Sequence, residues 1–94
     1  MFIERIKQLR EKQGLPLRKL AAALDIDSAT YWKIERGERR ARKEYIPIIA
    51  ELLQANKDEL LTLWLVDQVT AMVADEKELS NKVLNIAKKN INQT

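Results

Sequence analysis

Between two clusters of helix-breaking residues, Gly14-Leu15-Pro16 and Asp25-Ile26-Asp27, lie only eight residues, among them Leu17, Leu20, Ala21 and Leu24. That three-and-four spacing puts all four side chains on one face of a short helix. The interval is too short for a crossover unit, and it shows no period-2 alternation, so a strand is excluded. Beyond the second cluster, Tyr31 and Ile34 define the inward stripe of another short helix that stops at Gly37. Two short helices joined by a three-residue turn are therefore fixed by local chemistry alone. Asp25 tolerates a left-handed conformation, and Asp27 suits the cap of the helix that follows.

The same punctuation organises the rest of the chain as helices. Ile3, Ile6 and Leu9 mark an amphipathic first helix that ends at Gly14, with Pro16 suited to open the second. The second spans about residues 17–24 and the third about 28–36. A fourth runs over roughly 43–54, with Ile46, Ile49, Ala50 and Leu53 inward and Pro47 tolerated in its first turn. Asn56 and Glu59 form a capping-box pattern that starts a fifth helix reaching about Ala74. Asp75-Glu76-Lys77-Glu78 repeats that signal before a last helix carrying Leu79, Val83, Ile86 and Ala87. Residues 90–94 are expected to fray.

Ninety-four residues make one small domain, burying roughly two-thirds of the unfolded chain's surface. The chain is 46% apolar and 33% charged, a globular balance. It has no histidine and no cysteine, which removes disulfides, thiolate and imidazole chemistry and nearly all zinc sites. Ser28 and Ser80 have no histidine to activate them, and Gly14 and Gly37 are too far apart to cradle a phosphate. The reading is of a protein that is not an enzyme, needs no cofactor, binds no metal and shows no sign of a small-molecule ligand. No segment approaches 18 uncharged apolar residues, and the first helix is too charged for a signal peptide. A cytoplasmic protein with no membrane partner is expected.

The formal charge is only +3, but it is unevenly placed. Residues 1–47 hold twelve Lys/Arg against seven Asp/Glu, and residues 48–94 hold five against seven. Residues 36–43 alone carry five basic groups and one acid. Such a run is either a solvated loop or a phosphate clamp, and its position after a short exposed helix favours the clamp.

Residues 17–36 thus form a helix-turn-helix pattern. Together with Ile6-Lys7-Gln8-Leu9-Arg10, Leu20-Ala21, Ile34-Glu35-Arg36-Gly37 and Asp58-Glu59-Leu60-Leu61, the chain resembles the Cro/phage-repressor-type (XRE-like) helix-turn-helix transcriptional regulators over about residues 3–61. The resemblance implies an all-α, five-helix repressor-like DNA-binding domain over 1–61, with residues 62–94 as a C-terminal helical extension of the same compact domain. It also implies that the third helix reads double-stranded DNA, with Ser28, Ala29, Trp32 and Lys33 at the base-facing positions. Lys33 is the best candidate for a hydrogen bond to guanine, and Ala29 offers a methyl contact to thymine. Arg18, Arg36, Arg39, Arg40, Arg42 and Lys43 are the phosphate-binding candidates, supported by the N–H donors opening the fourth helix. Arg10 and Glu35 are the residues such proteins use for a buried salt bridge between the first and third helices.

Trp32 has three open placements: in the core, stacked on Arg36, or against DNA. Three positions depart from the family's habits. Leu17 replaces a frequent phosphate-binding glutamine, Asp25 a glycine and Ala41 a proline, the last pointing to a looser basic loop.

Nine of the fourteen residues 60–73 are large and apolar, more than one stripe needs. Either the last helix folds back over them or they pair two subunits, with Leu63, Trp64, Val66, Val69, Met72 and Val73 as the seam. A homodimer on a palindromic operator is the expectation, in the setting of a restriction–modification controller or another small regulator. The competing reading is a protein-interaction module such as an antitoxin. Its tail would be disordered alone, whereas both tail helices here carry caps and apolar faces.

Overall fold

A computed structural model describes residues 1–93. Among them the chain forms six helices and no strand: α1 (Phe2–Lys12), α2 (Leu17–Leu24), α3 (Ser28–Glu35), α4 (Tyr45–Leu53), α5 (Lys57–Val73) and α6 (Ser80–Asn92). The all-α, helix-turn-helix expectation holds.

Each of the first three helices ends by the same device. A residue at the cap or just after it turns left-handed, and two backbone bonds close over the orphan carbonyls. At α1, Gly14 has φ +67°, and Gly14 and Leu15 donate to the Glu11 and Arg10 carbonyls. Asp25 adopts φ +57° after α2, while Ile26 donates to Ala21. After α3, Gly37 takes φ +79°, and Glu38 donates to Lys33 at 2.9 Å. Asp27 caps α3 as expected, accepting from the Thr30 N–H at 2.7 Å.

These tight turns let α1 to α4 close around one core. Ile6, Leu20, Tyr31, Ile34, Ile46 and Ile49 are its fully buried heart, and Leu60 closes it from α5. Gln13 pins the end of α1 to the end of α4 through the Leu53 carbonyl at 2.6 Å. The Phe2 N–H donates to Asp67 at 2.9 Å, tying the start of α1 to α5.

Three boundaries differ from the sequence reading. α4 begins at Tyr45 rather than Lys43, because Lys43 and Glu44 are spent on a turn that leads into it. The Asn56 side chain does cap α5, accepting from Glu59 N–H at 2.9 Å. Glu59's own carboxylate, however, pairs with Arg5 of α1 at 3.3 Å, so a tertiary contact claims it. Asp75 caps nothing: successive turns take the N–H groups of Glu76, Leu79 and Ser80, and α6 starts only at Ser80. α6 then continues to Asn92, past the point where fraying is expected, while Thr94 lies outside the described residues.

The tail is the loosest part. α6 contributes no buried residue. The radius of gyration is 15.4 Å and the long axis 42 Å. A compact chain of this length would have a radius near 12 Å. α5 is continuous across residues 61 and 62, so its first half belongs to the core and its second half projects.

One buried polar atom stands out. The Tyr31 hydroxyl has no hydrogen-bond partner at bonding geometry, although the Glu35 carboxylate is its neighbour. Burial first, and that carboxylate second, push the phenol far above its ordinary value of 10.0. A raised phenol keeps its contribution to stability below pH 10, the ordinary value that it regains on unfolding. Above that, the unfolded chain ionises and the folded one does not, so stability falls. Tyr31→Phe should therefore be as stable as the parent, or up to about 1 kcal/mol more so, at pH 7. It should also lack this tyrosine's share of the alkaline loss, which urea unfolding from pH 7 to 11 would measure.

Candidate nucleic-acid interface

Eight residues of α3 divide cleanly into two faces. Tyr31, Ile34 and Glu35 are buried against α1 and α2, while Ser28, Ala29, Trp32 and Lys33 are exposed. The four residues expected to face bases thus share the solvent side of one short helix. An α-helix of this kind fits a major groove about 12 Å wide.

Trp32 is 43% exposed, which removes it from the core. Its ring lies beneath Arg36, whose Cζ is 4.3 Å from the ring centroid. Arg36 Nε also reaches a Glu38 carboxylate oxygen at 3.1 Å. Two contacts therefore hold the guanidinium at the C-terminal end of the exposed face. A stack of this kind at an exposed site contributes about 0.5–1 kcal/mol.

The basic segment lies next to that face. Arg39, Arg40, Arg42 and Lys43 are all exposed, whereas Ala41 between them is buried at 5% exposure. The Trp64 indole N–H donates to the Ala41 carbonyl at 2.9 Å. This bond anchors the loop at its midpoint, so the looseness expected from an alanine in place of proline does not follow. Periodicity had assigned Trp64 to a subunit seam. A tryptophan's polar handle, which needs a partner when half-buried, was the signal for this anchor. Leu63 likewise packs against the core rather than standing free. Val66, Val69 and Met72 remain exposed, and Val73 is half-buried.

Arg18 is exposed in the first turn of α2. Pro16 caps that helix with no side-chain bond. Leu17 is half-buried and packs on the core, which accounts for an apolar residue at this position.

Beneath the exposed face, Arg10 grips Glu35 with two bonds, Nε to Oε2 at 2.8 Å and Nη2 to Oε1 at 3.0 Å. Arg10 Nη1 donates in addition to the Leu15 carbonyl at 2.8 Å. The side chains are 13% and 5% exposed. Glu35's hydrogen bonds, with desolvation opposing them, raise the guanidinium above its ordinary value, so it stays charged. The pair thus joins α1, the α1–α2 turn and the end of α3 in one charge-assisted unit.

A braced short helix with an accessible face, set beside a cationic loop, is the arrangement of a helix-turn-helix domain. The chain belongs to the helix-turn-helix domain family, whose model matches residues 3–63, and within it to the XRE-like group. It is similar to the HTH-type transcriptional regulator AnsR of Bacillus subtilis strain 168, with 36% identity over 61 residues. That match covers 65% of this chain and 53% of AnsR, so the chain spans about half the length of this curated relative. No solved structure matches the chain significantly. No helix among the described residues is long and apolar enough to cross a membrane.

Breaking the fork from either side strands a poorly solvated charge. Arg10→Met and Glu35→Gln should each lower stability by about 3–5 kcal/mol. Chemical denaturation of the two variants and their double mutant would show it, with the double mutant losing less than the sum.

Proposed function

We propose that this chain is a sequence-specific DNA-binding transcription regulator that acts as a homodimer on a palindromic operator. The observation that carries the proposal is the juxtaposition of the exposed Ser28–Lys33 face, braced by the Arg10–Glu35 fork, with the cationic 36–43 segment, anchored by Trp64. In this reading α3 enters the major groove. Lys33 donates to guanine O6 or N7, Ser28 bonds a neighbouring base edge, and Ala29 contacts a thymine methyl. Trp32 lies against the sugar edge with Arg36 stacked on it. Arg18, Arg39, Arg40, Arg42 and Lys43 bind phosphates on either side of the groove, fixing register without carrying sequence information. A two-fold dimer presents two such heads about 34 Å apart, one turn of DNA.

The similarity to a protein named as a transcriptional regulator supports the regulatory role. Control of a restriction–modification system is a more specific form of the proposal and rests on the family resemblance alone. A cytoplasmic site of action accompanies the role. The binding function requires no enzymatic step and no cofactor. An antitoxin-like tail that masks a partner protein is the other reading, and it demands no operator of its own.

Selection from random-sequence DNA at low salt should enrich a palindrome; absence of any enriched motif would overturn the proposal. On the selected site, about ten phosphate contacts per dimer give a slope of log K against log salt near −9. Arg39→Ala or Arg40→Ala should weaken binding to all sequences alike and flatten that slope by about 2, since each dimer loses two contacts. Lys33→Ala should instead cost about 1–3 kcal/mol per half-site and relax the preference at one base pair.

A further inference from the structure

We propose that α6 is the pairing element of the dimer, docking antiparallel against α6 of a second copy, with the acidic segment before it facing the lysines at its end. The inference rests on the homodimer reading and names its surface and direction. Within one chain α6 barely packs. Leu84 meets α5 across an open groove lined by Thr62, Leu65, Val66, Val69 and Thr70, and Leu84 itself stays 41% exposed. On the side away from that groove, Leu79, Val83 and Ile86 form a three-and-four stripe, each 45–51% exposed. Met72 of α5 adds a side chain 81% exposed.

A stripe of exposed apolar side chains of this kind marks an interaction surface. A second copy is the occupant of matching chemistry, because the charge pattern is self-complementary. Asp75, Glu76 and Glu78 precede α6, and Lys88 and Lys89 lie near its other end. A two-fold axis offers only two ways to align identical helices. Parallel alignment sets lysines on lysines and acids on acids. Antiparallel alignment sets the acids of each chain on the lysines of its partner at both ends, with Val83 near the axis. Lys77 lies within the acidic segment, which stays net negative with three acids to one lysine, and Lys82 is exposed beside the apolar stripe.

Charge reversal separates this arrangement from other dimers. One variant carries Lys88→Glu and Lys89→Glu; the other carries Asp75→Lys, Glu76→Lys and Glu78→Lys. By sedimentation equilibrium, the parent should dimerise, and each variant alone should have a dimer Kd at least tenfold higher. Their equimolar mixture should regain the parent's affinity as a heterodimer, since both ends then pair acid with base. Improved capping of the chain's own helix dipole cannot produce that rescue. The chain has no cysteine, so Val83→Cys under a thiol oxidant should give a disulfide-linked dimer. Variants that dimerise like the parent, or a Val83→Cys chain that stays monomeric, would overturn the α6 pairing and leave the homodimer reading intact. A parent still monomeric at about 100 μM, where a dimer with a Kd of about 1 μM would be almost fully formed, would overturn both.

Discussion

The orientation of the reading helix depends on the grip of Arg10 on Glu35. An eight-residue helix buries only Tyr31, Ile34 and Glu35, so Glu35 is one of just three residues that seat it. A planar fork with two bonds to one carboxylate leaves little rotational freedom. Arg10's third bond, to Leu15, extends the constraint into the turn that sets α2 against α1. Glu35 is also the residue just before Arg36, so fixing it fixes the guanidinium that lies over Trp32. One ion pair thus reaches from the first helix to the surface proposed to meet DNA.

Tyr31 shows what that arrangement costs. Its hydroxyl is buried beside the charged pair, next to the Glu35 carboxylate that Arg10 grips, and has no partner at bonding geometry. The aromatic body fills the centre of the core, and the polar end is carried there without compensation. Packing outweighs the unmet hydroxyl because the ring is fully buried while only one polar atom goes unpaired.

Local chemistry was legible in the sequence wherever it acts alone. Gly14, Asp25 and Gly37 end helices because few other residues adopt a left-handed backbone, and Asp27 caps because its side chain reaches Thr30. Gln54 also turns left-handed at φ +55° and ends α4, yet glutamine has no such preference to read. Tertiary competition hid the rest. Glu59 leaves its capping box for Arg5, a residue 54 positions away. Of the candidate reading face, the positions of Ser28, Ala29, Trp32 and Lys33 followed from helical geometry, since Tyr31 and Ile34 fixed the inward side. What Trp64 does was not legible, because a wide apolar stripe on α5 does not say which of its faces the core will take.

That indole links two regions that the charge distribution seemed to separate. The first half of the chain carries the cationic loop, and the second half, net acidic, carries the apolar tail. Trp64 holds the loop by the Ala41 carbonyl, and Asp67, one turn further along the same helix, holds the start of α1. α5 is therefore both the last wall of the core and the rigid arm from which α6 extends. In a two-fold assembly made through α6, any change in the angle of α5 would move Ala41, and with it the flanking Arg40 and Arg42, relative to the partner's head. The spacing of the two heads would then be set by a continuous helix braced at Trp64 and Asp67, and the tail would act on DNA recognition through geometry without touching DNA.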